Sequence, residues 1–185
     1  MPDSPGPVPL AGRTLVVGPS NVGKTRLTAQ ALEAWTATNG PEACVVLDFA
    51  PEVERDGTIL GGHLTQFTNV PKGAWHGVVD AHAPRADSES DDEAVALARE
   101  NARVATSRLD AAPPDPMAVF VNDATIPAQA DPEWIARLVD YCDRAEVAVL
   151  NAFEDDEFDP ESPVSRNERA ALNRLRAWAD RVIEP

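Results

Sequence analysis

Two kinds of hydrophobic pattern alternate along this chain. Short continuous apolar runs at residues 13–17, 43–47, 117–121 and 147–150, each closed by glycine or a polar residue, predict buried strands of a parallel sheet. Between them apolar residues recur at helical spacing. Leu27, Ala31, Ala34 and Trp35 predict a first helix over about 23–38, stopped by Asn39-Gly40-Pro41. Val95, Ala98, Ala102, Ala105 and Leu109 predict a second that runs to about 111, with N-cap residues at 88–91 and a stop at Pro113-Pro114-Asp115-Pro116. Two more are expected at 131 to about 144, with Asp131-Pro132 as cap and first-turn residue, and at about 166–179. Val182-Ile183 reads as a closing edge strand. Residues 51–90 are the least regular, rich in Gly, Pro, Asp and His, with a short strand at 77–80; they read as a lid, a substrate loop or an elaborate connection. The acidic stretch 154–161 reads as a solvated loop.

Strands that alternate with helices predict an α/β fold, a three-layer α/β/α sandwich with a mainly parallel central sheet. A length of 185 residues with 43% hydrophobic content suits one domain over 1–185, with a flexible start at 1–11. In such sheets ligands bind beyond the carboxyl ends of the strands, where Gly18, Asp48, Asp123 and Asn151 should gather.

Composition narrows the function. The formal charge is −15 and the chain holds only two lysines, Lys24 and Lys72. So acidic a surface repels nucleic-acid phosphates, and no basic stripe offsets it, so nucleic acid is not the expected partner. No run approaches the ~20 apolar residues of a membrane helix, and the start carries no basic-then-apolar leader, so no membrane association and a cytoplasmic location are expected. Cys44 and Cys142 lie far apart in apolar stretches and read as reduced, buried side chains. His63, His76 and His82 all fall in the irregular region with no metal-ligand spacing, and Trp35, Trp134 and Trp178 take core positions on helices.

One segment carries specific chemistry. Gly18-Pro19-Ser20-Asn21-Val22-Gly23-Lys24-Thr25 matches G-x-x-x-x-G-K-[ST] at every specified position, between a predicted strand and a predicted helix. Gly18 allows the sharp turn, Gly23 allows close approach of the backbone, and successive amides from Ser20 to Thr25 point at phosphate oxygens with the helix dipole behind them, so that residues 18–26, Arg26 included, are the expected nucleotide-binding set. Lys24 supplies a compact ammonium for the β and γ phosphates, and the Thr25 hydroxyl a ligand for Mg²⁺. On these residues the chain resembles the P-loop NTPase superfamily, closely over 15–27 and topologically elsewhere. The resemblance implies binding of ATP or GTP with Mg²⁺, and a small-molecule or protein partner of unspecified kind.

That family usually carries a second apolar strand ending in an acidic residue that holds the metal. Asp48 and Asp123 are the two candidates. Asp123 has the separation from Lys24 expected for the strand neighbouring the phosphate loop and is the favoured metal carboxylate, although Asn122 stands where the usual Asp would be if Asp123 matched the following catalytic acid. Asp48 is then placed to act as general base, or is a solvated strand end. The string Ser20-Asn21-Val22-Gly23-Lys24 resembles the loop of Era-type GTPases, but Asp48-Phe49-Ala50-Pro51 is not DxxG and Asn151-Ala152-Phe153-Glu154 lacks the guanine-reading Lys and Asp. Small-molecule kinases and RecA-like ATPases are the nearer resemblances, with Arg166-Asn167-Glu168-Arg169 as a candidate arginine lid or simply a helix start. Two expectations follow: an enzyme acting on the γ phosphate through Lys24, Asp48 and Asp123, or a nucleotide-dependent partner-binding module poor in hydrolysis.

Overall fold

The structure, a computed structural model, describes residues 6–60, 62–154 and 159–185. Six strands form one all-parallel sheet: β1 (Gly12–Gly18), β2 (Cys44–Asp48), β5 (Trp75–Val78), β6 (Ala118–Asn122), β7 (Val147–Phe153) and β8 (Arg181–Ile183), in the order β5-β2-β6-β7-β1-β8. Among the described residues four α-helices accompany them: α1 (Lys24–Asn39), α2 (Asp91–Ala111), α3 (Trp134–Cys142) and α4 (Pro163–Trp178). The α/β reading therefore holds. A separate antiparallel hairpin, β3 (Val53–Arg55) and β4 (Thr58–Leu60), occupies part of the irregular region. It turns on Asp56 and Gly57, both with positive φ, the two-residue turn that a right-twisted hairpin prefers.

Strand periodicity sorts the core into two layers. Cys44, Val46, Ala118, Phe120, Val147 and Val149 pack with Ala29, Leu32 and Trp35 of α1 on one face. Their sequence neighbours Val45, Leu47, Val119, Val121, Ala148 and Leu150 pack with Ala105 and Leu109 of α2, Ile135 and Leu138 of α3, and Leu172 and Leu175 of α4 on the other. The sheet is covered on both sides, as continuous apolar strands require. Val8 is also buried in the α1 layer, so the expected flexible start does not extend to that residue; residues 1–5 lie outside the described residues.

Several boundaries move. Helix α4 begins at Pro163, with the Ser162 side chain accepting from the Ser165 amide, earlier than the expected 166. Helix α3 is shorter than 131–144, because residues at both ends are held by turns. The short strand falls at Trp75–Val78, not 77–80. The predicted caps at Ser90 and Gly40 are found, Ser90 accepting from the Glu93 amide and Gly40 donating to Thr36 O. Of the acidic stretch, Glu154, Asp159 and Glu161 are exposed, while residues 155–158 lie outside the described residues. Among the described residues no helix is long and apolar enough to cross a membrane.

Strand order corrects one expectation. Strand β7 lies between β1 and β6, so Asp123 does not follow the strand beside the phosphate loop. Helix α1 carries the chain from β1 over two strand positions to β2, and β6 and β7 later fill the gap. The carboxyl ends of β1, β7, β6 and β2 consequently stand in a row beneath the N-terminus of α1.

Candidate functional site

The loop after β1 has the backbone its glycines predict. Gly18, Asn21 and Gly23 all have positive φ, at 156°, 63° and 99°. Asparagine is among the few side chains that tolerate the left-handed region, and a Cβ on Gly23 would meet nothing within 4 Å, so the space above the loop is open. Among the described residues none accepts a well-formed hydrogen bond from the amides of Asn21, Gly23 or Thr25. They add to the first-turn amides of α1, which lack helical partners in any α-helix. Pro19, Ser20, Asn21 and Arg26 are exposed, Gly18, Val22, Gly23 and Thr25 half-buried, and Lys24 buried. The Lys24 ammonium donates to Pro19 O at 2.5 Å and lies 5.9 Å from the centre of the Phe153 ring. Arg26 sits over the exposed ring of Phe67.

Beneath this loop three polar side chains lie on three adjacent strands, on the face that carries α1: Asp48 and Asn122 at the ends of β2 and β6, and Asn151 two residues before the end of β7. All are fully buried. Asp48 and Asn122 are register partners. The side chains form one chain of hydrogen bonds. Asn151 Nδ2 donates to Thr28 Oγ1 (2.9 Å) and to Asn122 Oδ1 (3.0 Å); Asn122 Oδ1 also accepts from Thr25 Oγ1 (3.2 Å). Asn122 Nδ2 donates to Asp48 Oδ1 (3.0 Å) and Gly62 O (2.9 Å). Asp48 further accepts from the amides of Ala50 (3.2 Å) and Leu64 (2.7 Å). It is therefore not a solvated strand end. Burial raises its carboxyl above the ordinary range, opposed by these donors and by His63, whose Nδ1 lies 3.9 Å away.

Asp123 is placed differently. Its backbone is left-handed at φ 55°, its amide donates to Asn151 Oδ1 at 2.8 Å, and its carboxylate takes no hydrogen bond from the described residues. That carboxylate is half-buried, and burial pushes it up to about 6; Lys24 pulls it down, while Asp48 and Glu168 push it further up. It is Asn122 that meets Thr25, so the side chain nearest the expected metal position is a neutral amide.

The donor set still fits a hard cation. Thr25 gives its proton to Asn122 Oδ1, which leaves hydroxyl lone pairs for a metal, and oxygen is the donor a hard cation takes. Mg²⁺ keeps several waters and takes phosphate oxygens, so it does not need a cage of protein carboxylates. Among the described residues no cluster of three His, Cys, Asp or Glu side chains could hold a metal alone.

Asn151 and Glu168 were not assigned site roles by their types. Glu168, buried on α4, accepts from Arg85 Nη1 at 2.9 Å, from Gln129 Nε2 at 2.7 Å and from Thr125 Oγ1 at 3.4 Å. Arg85 also lies over the Phe153 ring that Lys24 approaches. Arg85 thus comes from the segment before α2, whereas Arg166 and Arg169 sit exposed on α4. The repeated sequence signal for the polar row is the first polar residue after each apolar run, at Asp48, Asn122 and Asn151.

His76 lies on β5 with Nε2 buried and unpartnered, and burial holds its imidazole below the ordinary value. Both cysteines are buried and free, and Trp35 is buried in the core, as expected.

No protein-family model matches this chain, and no curated protein matches it. A solved structure to which it is similar is the crystal structure of the Pif1 helicase from Candida albicans, at 11% identity and a TM-score of 0.42. The likeness covers 94% of this chain and 36% of the helicase, so the chain spans about a third of that protein's length.

Proposed function

We propose that this chain binds a nucleoside triphosphate with Mg²⁺ on the loop from Gly18 to Thr25 and cleaves its terminal phosphoanhydride bond. The observation that carries the proposal is the left-handed, glycine-bearing loop with unpaired amides at a helix N-terminus, set beside Lys24 and a proton-hungry Asp123. The amides and helix dipole hold the phosphate chain. Lys24, now resting on Pro19 O, exchanges that carbonyl for phosphate oxygens. Thr25, oriented by Asn122, would hold Mg²⁺, which would supply positive charge against that developing on the leaving diphosphate. Asp123 takes the proton from the attacking water or substrate hydroxyl as its oxygen bonds to phosphorus and the bond to the diphosphate breaks. Asp48, fully buried and already accepting three hydrogen bonds, suits positioning better than proton transfer.

ATP fits better than GTP. Asn151, the only residue of the expected base-reading string with a matching type, is buried with both ends of its amide engaged, so it reads no guanine. A second reading, a nucleotide-dependent partner-binding module with little hydrolysis, draws support from the neutral Asn122 at the metal side. Calorimetry with Mg-ATP and Mg-GTP, together with phosphate release, separates them. Lys24→Ala should abolish Mg-nucleotide binding, and unchanged affinity would refute the proposal. Asp123→Asn should bind normally yet lose about 10²-fold or more in turnover. A wild-type chain that binds tightly without turnover, alone or with acceptors, favours the module.

A further inference from the structure

We propose, resting on the nucleotide and Mg²⁺ reading above, that Asp48 is the positioning carboxylate of the metal site, acting through the side-chain amide of Asn122. An asparagine amide can face Thr25 in two ways. Only one presents oxygen, and here that one is fixed from both sides. Asn122 Oδ1 accepts from Thr25 and Asn151, and Nδ2 donates to Asp48 and Gly62 O, so all of its hydrogen-bonding capacity is used. Rotating the amide by half a turn would set its NH₂ against the Asn151 NH₂ and its oxygen against the Asp48 carboxylate. Asn151 is itself fixed, since its Oδ1 accepts from the Asp123 amide.

Charge points the same way. A carboxylate with no exposure is costly unless neutralised or bonded. Asp48 has three neutral donors, and the His63 imidazole lies 3.9 Å away. The anion that the resembled family places on the strand facing the threonine stands here one strand over, in register, with a neutral amide between. A cation held at Thr25 and the Asp48 anion stabilise each other through that polarised amide, as outer hydrogen-bond partners of metal ligands do.

The test is the Mg²⁺ concentration that half-saturates nucleotide binding, followed with a fluorescent ATP analogue in wild type, Asp48→Asn and the exchanged pair Asp48→Asn/Asn122→Asp. Asp48→Asn should need about tenfold more Mg²⁺ or beyond. The exchanged pair, which returns a carboxylate to face Thr25, should recover most of that loss. A folded Asp48→Asn with the wild-type Mg²⁺ requirement overturns the assignment, and so does a folded exchanged pair that recovers nothing, since a purely structural role predicts no rescue. If neither variant folds, the wild-type Asn122 side-chain ¹⁵N resonance decides: it should shift when Mg²⁺ is added to the nucleotide complex, and an unmoved resonance overturns the idea. Wild-type protein that binds no Mg-nucleotide at all would instead remove the underlying reading; Mg-dependent binding lost only in Lys24→Ala, with Asp48→Asn unaffected, would remove this inference alone.

Discussion

Replacing Asp123 with Asn should make this protein more stable and less active. The folded state raises the Asp123 carboxyl from an ordinary 3.8 to about 6, chiefly by burial. The folded chain therefore holds this proton more tightly than the unfolded chain. Stability is then greatest at acid pH, falls as pH rises through the interval from 3.8 to about 6, and is level above it. At about 1.4 kcal/mol per pH unit, an ionised Asp123 costs about 3 kcal/mol at pH 7.5, and its partial exposure to solvent lowers that to about 2. Asparagine has the same shape without the charge and suits the left-handed backbone at φ 55°, so no strain offsets the gain. The amide that donates to Asn151 is untouched. Urea unfolding at pH 7.5 should show Asp123→Asn more stable by about 2 kcal/mol, a rise in Tm of about 4–8 °C for a domain of this size. At pH 4 the two proteins should differ little. A variant that is equally or less stable at pH 7.5, or whose gain does not depend on pH, would show that this carboxylate is not strained by its site and would remove the argument for a base poised near neutrality.

Other outcomes follow from the same network. Asn151→Ala strands the Asp123 amide and leaves Asn122 and Thr28 each short of a buried partner; urea unfolding should show a loss of about 2–4 kcal/mol. Arg85→Ala leaves the buried Glu168 without its ion pair and should cost about 3 kcal/mol, with Glu168→Gln in the same chain restoring much of it, as read by thermal melting. Burial pushes the Cys44 thiol up to about 12 and that of Cys142 higher still, so neither should react with a thiol reagent at pH 8 until the protein is unfolded in guanidinium.

The fold was largely legible because buried parallel strands advertise themselves. The runs ending at Gly18, Asp48, Asn122 and near Asn151 could hardly be anything else, and Gly40 stopped α1 where its positive φ required. Edges were harder. β5 borders the sheet, so its apolar signal is weak, and Ser162-Pro163 started α4 by a cap and first-turn proline that the apolar period alone does not reveal. The Asp56-Gly57 hairpin turn is a residue pair set in a stretch so rich in Gly, Pro, Asp and His that its composition reads as irregular.

At the site, the phosphate loop was readable from spacing, whereas the roles of its neighbours were not. Strand order decides which strand ends are neighbours, and order depends on long-range pairing that no local pattern encodes. Pairing β2 with β6 draws Asp48 into a bonded row with Asn122 instead of leaving it in solvent, while alternation along β6 turns Asn122, not Asp123, toward α1 and Thr25. Arg85 and Glu168 meet across 83 residues, a contact beyond the reach of any motif.

If backbone amides of one loop enclose a polyphosphate, their resonances must respond to it. ¹⁵N-labelled protein is titrated with Mg²⁺ and a non-hydrolysable ATP analogue while the amide resonances of Asn21, Gly23, Lys24 and Thr25 are followed. Large, saturable shifts of these four amides, absent in Lys24→Ala, are the predicted result. Resonances that stay in place while the nucleotide binds elsewhere, or no binding at all, would contradict it.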